Sequence, residues 1–114
     1  MPPSVEDRLR DILEAITEID QMLPGIRFEQ FTEDEMRRMA TERYLGVLCE
    51  AARKLPDHIE QDEPDIDWRK MNDFGNRLRH AYHEPDAAIV WDIIQNHVPR
   101  LNSFVRTRIQ AAGK

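Results

Sequence analysis

The sequence predicts an all-α protein, an up-down bundle of four to five helices. Three observations point there. Apolar residues recur at spacings of three and four, as in Leu9, Ile12, Leu13, Ile16, Ile19 and Leu23, and no useful stretch alternates with a period of two. Helix-starting and helix-stopping residues bracket the periodic runs. Glycine is scarce, at 4 residues, while 33% of the chain is charged and 40% hydrophobic, the balance of a soluble helix-rich domain. No internal repeat is visible, and 114 residues suit a single domain, 1–114, around one core.

The elements follow in order. The first helix starts at Ser4, a good N-cap, with Asp7 placed as its reciprocal partner. Pro24-Gly25 ends it. The second starts at Thr32, where Glu35 completes a T-x-x-E capping pattern. Its apolar stripe is Met36, Ala40, Tyr44, Val47, Leu48, Ala51 and Leu55, and Pro56 stops it. Arg43 and Glu50 fall ~20° apart at the border of that stripe. A charge pair there either anchors the helix to a neighbour or stands as a partly exposed ion pair. The acidic stretch 56-PDHIEQDEPDID-67 reads as a loop with one helical turn. Asp67 caps a third helix through Trp68, Met71, Phe74, Leu78 and Ala81, closed by Pro85. Asp86 caps a fourth, with Ala88, Val90, Trp91, Ile94 and Val98. Pro99 kinks or breaks that helix, and the continuation carries Leu101, Phe104, Val105 and Ile109. Trp68 and Trp91 read as core aromatics.

Composition excludes several classes of function. The net charge of −6 argues against broad, non-specific nucleic-acid binding. No apolar run approaches the ~18 residues of a membrane span. The N-terminal MPPSVEDRLRD lacks a basic region followed by an apolar one, so the expected location is cytoplasmic. A single cysteine, Cys49, excludes an intrachain disulfide and a cysteine-only metal cage. Beside Leu48 in a helical segment it reads as a buried, inert thiol. The charge is unevenly placed, however. Between Trp68 and His83 stand Arg69, Lys70, Arg77 and Arg79 against one acid, Asp73.

That basic region holds the densest chemistry, 75-GNRLRHAYHEPD-86. On a helical wheel centred on Met71, Phe74, Gly75, Leu78, Ala81 and Tyr82 share the core side, within about 80° of Met71. His80 falls on the opposite side, at about 180° from Met71. Asn76 and His83 lie near it, at about 140° and about 120°. Arg77, at about 240°, and Arg79, at about 80°, flank them. Imidazole moves protons near neutrality, and guanidinium binds phosphate bidentately. Together they suit RNA cleavage by attack of the 2′-hydroxyl, in which a base takes the hydroxyl proton and a cation steadies the phosphorane-like charge. No metal or cofactor is needed. The plainer reading is a solvated helix end. Metal binding by His80 and His83 lacks a third ligand at a clear spacing.

The same stretch resembles the signature of the HepT-like branch of the HEPN superfamily. Its ribonuclease motif is an Arg, a short spacer, then His, any residue and Tyr. His80-Ala81-Tyr82 supplies the H-x-Y part, and 42-ERYLGVLCEAARKL-55, Trp68, Trp91 and Pro99-Arg100-Leu101 resemble the flanking helices. The resemblance implies a helical bundle, a homodimer with the two motifs meeting across a cleft, and a metal-independent endoribonuclease acting as a toxin. It implies a partner too, a minimal nucleotidyltransferase antitoxin that in some systems transfers AMP to the motif tyrosine, which is Tyr82 by position. His80 would then transfer the proton. Arg77 or Arg79 would bind the scissile phosphate, Asn76 would orient it, Tyr82 would position His80 or the RNA, and His83 would contact substrate. The motif Arg is missing: its place is Gly75. The alternative expectation is therefore a non-catalytic helical module that binds the nucleotidyltransferase.

Overall fold

Seven helices follow one another in the computed structural model, which describes residues 4–80 and 86–113. They are α1 (Val5–Met22), α2 (Phe28–Glu33), α3 (Glu35–Arg53), α4 (Asp57–Gln61), α5 (Trp68–His80), α6 (Ala87–Asn96) and α7 (Val98–Ala112). No strand occurs among the described residues. The predicted all-α bundle is what forms, divided more finely than the sequence pattern suggests.

The first helix is capped as expected. The Ser4 hydroxyl accepts from the Asp7 amide at 3.1 Å, and the Asp7 carboxylate accepts from the Ser4 amide at 2.9 Å. Leu9, Ile12, Ala15, Ile16 and Ile19 are buried, each large aliphatic side chain contributing about 1.5–3 kcal/mol by leaving water. Gly25 turns the chain after α1 at φ 74°, in the left-handed region that favours glycine.

The start of the next helix differs from expectation. Thr32 is no N-cap. It lies inside α2, and its hydroxyl donates to the Phe28 carbonyl at 3.0 Å. The N-cap of α3 is Asp34, whose carboxylate accepts from the Arg37 amide at 3.0 Å. The negative charge at Asp34 suits a helix N-terminus better than a hydroxyl does. Its non-helical backbone, φ −93° and ψ 88°, also separates α2 from α3. The buried face of α3 also differs from the predicted stripe. Thr41, Leu45, Leu48, Cys49, Ala51 and Ala52 are buried, whereas Met36, the first member of the predicted stripe, is 85% exposed. The Thr41 hydroxyl is satisfied within the core by the Arg37 carbonyl at 2.8 Å.

The short α2 escaped the sequence pattern. It buries Phe31 against Trp91 of α6, ring centroids 5.2 Å apart, with Phe28 set edge-on to the same indole at 5.9 Å. The acidic stretch carries one short helix, α4, as expected. Trp68 closes it down: its indole N–H donates to the Glu60 and Glu63 carbonyls, both at 3.1 Å. Both tryptophans are half-buried against the core, Trp68 lying edge-on to Phe104 at 5.7 Å.

Asp67 caps α5 through the Lys70 amide at 2.9 Å, and Asp86 caps α6 through the Ala88 amide at 2.8 Å. Ala81 and Pro85, the expected end of the third helix, lie outside the described residues. In α6 the buried residues are Val90, Ile93 and Ile94, while Ala88 faces out. Pro99 breaks the last helix as expected: α6 ends at Asn96 and α7 begins at Val98, with the proline in its first turn.

α1 packs against α3 and α7, and α5 packs on α3. The last of these contacts is unusually close. A Cβ added at Gly75 would lie 2.7 Å from the Cys49 Cβ. Gly75 faces the core, as the wheel places it, and its missing side chain lets the two helices meet. We expect Gly75→Ala to cost about 1–2 kcal/mol in urea melts, the strain of overpacking outweighing alanine's better helix propensity. Adding Cys49→Ala should not restore the loss, because alanine keeps the clashing Cβ.

Candidate functional site

The C-terminal half of α5 presents the residues that the sequence singles out. Met71, Phe74 and Gly75 are buried, and Asn76, Arg77, Arg79 and His80 are exposed. Three cationic or titratable groups in the last turn also suit the negative end of the helix dipole. Tyr82 and His83 lie outside the described residues, so of the H-x-Y unit the structure describes only His80.

The two arginines point to different grooves. Arg77 lines a cleft of about 610 Å³ between α5 and α6, with Phe74, Ile89 and Ile93 as its apolar wall and Asp73 and Asp92 at its rim. The Asp92 carboxylate is held below its ordinary pKa, first by the Asn96 amide at 2.6 Å and then by Lys70 at 3.4 Å and His97 at 3.6 Å. Among the described residues Arg77 has no ion-pair partner. Arg79 lines a second groove, of about 600 Å³, against α1 and α3. The structure does not bring Arg77 and Arg79 together.

Arg79 is firmly held. Its Nη1 donates to Glu50 Oε2 on α3 at 2.6 Å, and its Nη2 donates to Asn76 Oδ1 at 3.2 Å. Glu50 also accepts from Arg53 Nη2 at 2.6 Å and lies 3.5 Å from Lys54 Nζ. The Arg53 hydrogen bond, aided by the Arg53, Arg79 and Lys54 charges, pulls the Glu50 carboxyl down to about 2. Sequence reasoning put Glu50 at a helix border with Arg43 as its partner. Among the described residues no ion pair joins those two; the anchoring partner is Arg79, 29 residues away. A border acid was the available signal, but its long-range partner left no trace in the spacing.

Cys49 sits beneath this network, buried, its thiol pushed up to about 12 by desolvation against an opposing pull from Arg79. It is an inert core residue, as expected. Among the described residues no group of three or more His, Cys, Asp or Glu is placed to hold a metal ion. No described helix is long and apolar enough to cross a membrane.

Comparison with known proteins finds a family model and several relatives that match the chain. Residues 12–108 match the family model described as "Ribonuclease HepT-like". The chain is 34% identical over 101 residues to "Probable ribonuclease HepT" of Thermococcus cleftensis, covering 89% of this chain and 92% of that one. It is 33% identical over 91 residues to a protein of Methanocaldococcus jannaschii named as an RNase, covering 80% and 75% of the two chains. A protein of Caldanaerobacter subterraneus, also named as an RNase, is 26% identical over 102 residues, 90% and 91% of the two chains. No solved structure matches the chain.

The Glu50 cluster sets an acid response. Its folded-state value, about 2, lies below the ordinary 4.5, so its ion pairs add stability that is present above pH 4.5 and is lost as pH falls toward 2. Urea melts across that window should show a shallower acid decline for Glu50→Gln than for the parent protein.

Proposed function

Because the chain belongs to the HepT-like ribonuclease family, we propose that it is the toxin of a toxin–antitoxin pair, a metal-independent endoribonuclease whose partner is a minimal nucleotidyltransferase. The observation that carries this reading is the family match running through the exposed face of Asn76, Arg77, Arg79 and His80.

In this reading His80 takes the proton of the RNA 2′-hydroxyl. The freed O2′ attacks the adjacent phosphorus, the O2′–P bond forms, and the P–O5′ bond breaks to leave a 2′,3′-cyclic phosphate. The departing 5′ oxygen needs a proton on the far side of the phosphorus, since an in-line displacement sets base and acid opposite each other. A homodimer in which two copies of the motif face one cleft would supply two imidazoles, one for each side. Arg79 or Arg77 neutralises the pentavalent phosphorus. Asn76 orients a phosphate oxygen, His83 contacts the RNA, and Tyr82 positions His80 or the RNA. Tyr82 is also where the nucleotidyltransferase would add AMP, placing charge and bulk beside the base. The net charge of −6 leaves RNA affinity to this local basic face, which makes binding strongly salt-dependent.

One observation favours a second reading. The position of the motif Arg is Gly75, packed against Cys49, and without that cation the bundle would serve as a non-catalytic partner of the nucleotidyltransferase. A single experiment separates the two. Antitoxin-free protein should degrade RNA in the presence of EDTA. His80→Ala should lower the rate by at least about 10²-fold, the size of a lost general base, with an unchanged circular dichroism spectrum. An unchanged rate in that variant removes His80 from the mechanism, and an inactive parent protein leaves the binding module.

A further inference from the structure

We propose that Glu50 is a positioning residue for the RNA-binding face, holding Arg79 across the α3–α5 groove and, through it, turning the Asn76 amide toward phosphate. The inference rests on the RNA reading above and adds a residue on a different helix to it.

Geometry carries the claim. Arg79 Nη1 meets Glu50 Oε2 at 2.6 Å, and Nη2 meets Asn76 Oδ1 at 3.2 Å. Arginine only donates, so the oxygen of the Asn76 amide must face Arg79. The NH₂ end then points away from Arg79, two donors offered to a phosphate oxygen. Arg79 has five N–H donors and uses one on Glu50 and one on Asn76, which leaves the rest of a fixed, planar guanidinium for substrate. A free arginine would have to order its side chain on binding, at a cost in rotamer freedom. Glu50 has met that cost in the unbound fold.

An acid beside an RNA site is at first sight a handicap. Arg53 and Lys54 remove it, since both lie on the same carboxylate. Three cations meet this one carboxylate, and with Arg8 and Arg43 against Asp11 and Glu42 in the groove that Arg79 lines, positive charge still outnumbers negative. The close approach of α5 to α3 at Gly75 completes the arrangement: Arg79 lies one turn further along the same helix and meets Glu50 on α3 there.

A plain interhelical ion pair predicts the opposite response, and the sign of one measurement separates the two. The probe is a 2′-O-methyl oligoribonucleotide, which cannot be cleaved, followed by fluorescence anisotropy with the full chain. If Glu50 positions Arg79, Glu50→Ala weakens binding about tenfold, the scale of a hydrogen bond to a charged group. Glu50→Gln weakens it in the same direction, and Glu50→Ala combined with Arg79→Ala binds no worse than Arg79→Ala alone. Thermal melts run beside the titrations identify any variant that is unfolded, and the Glu50→Gln result then decides. Unchanged or tighter binding by the folded Glu50 variants, which loss of a negative charge alone produces, overturns the proposal. So does a parent protein that fails to bind the probe. Binding without cleavage of natural RNA leaves the positioning role intact and overturns only the catalytic reading.

Discussion

The contact between Gly75 and Cys49 sets the rest of the site. Two helices can approach this closely only where one of them lacks a side chain, and a Cβ at position 75 would stand 2.7 Å from that of Cys49. Three properties follow from this one approach. Arg79 reaches across to Glu50, Cys49 is sealed from solvent, and position 75 is withdrawn from the exposed face of α5. The glycine at position 75 thus has a packing reason. An arginine at 75 would enter the helix interface rather than a cleft, and the guanidinium groups exposed on the C-terminal half of α5 are those of Arg77 and Arg79.

Those two are not equivalent. Arg77 borders a cleft that carries Arg69 and Lys70 as well as Asp67, Asp73 and Asp92, and it has no ion-pair partner among the described residues. Arg79 is held by Glu50 and Asn76, where three cations meet one carboxylate, in a groove that also carries Arg8, Asp11, Glu42 and Arg43.

What the sequence revealed depended on range. Caps are formed by residues a few positions apart, so Ser4–Asp7, Asp67, Asp86 and the break at Pro99 were legible from local chemistry. Thr32 misled because two capping signals overlapped there. T-x-x-E was satisfied in pattern, yet Asp34 carried the charge and the non-helical backbone. The face that α3 buries also differs from the predicted stripe, leaving Met36 exposed. The short α2 was missed because six residues show too little periodicity, and Phe31 reveals its burial only once Trp91 is folded over it. The polar face of α5 followed from spacing alone, since it lies within one helix. The Glu50–Arg79 bridge could not, since it depends on how two helices are laid together, with the paired residues 29 positions apart in the chain.

The buried thiol gives the molecule a built-in gauge of its own opening. Cys49 is the chain's single cysteine, shielded beneath α5 and kept protonated by burial. An alkylating reagent can reach it only in the moments when α5 lifts from α3, so the labelling rate counts those openings. Whatever draws α5 tighter onto α3, whether a nucleic acid strand across Arg79 or a second protein over the helix end, slows that clock without touching the sulfur.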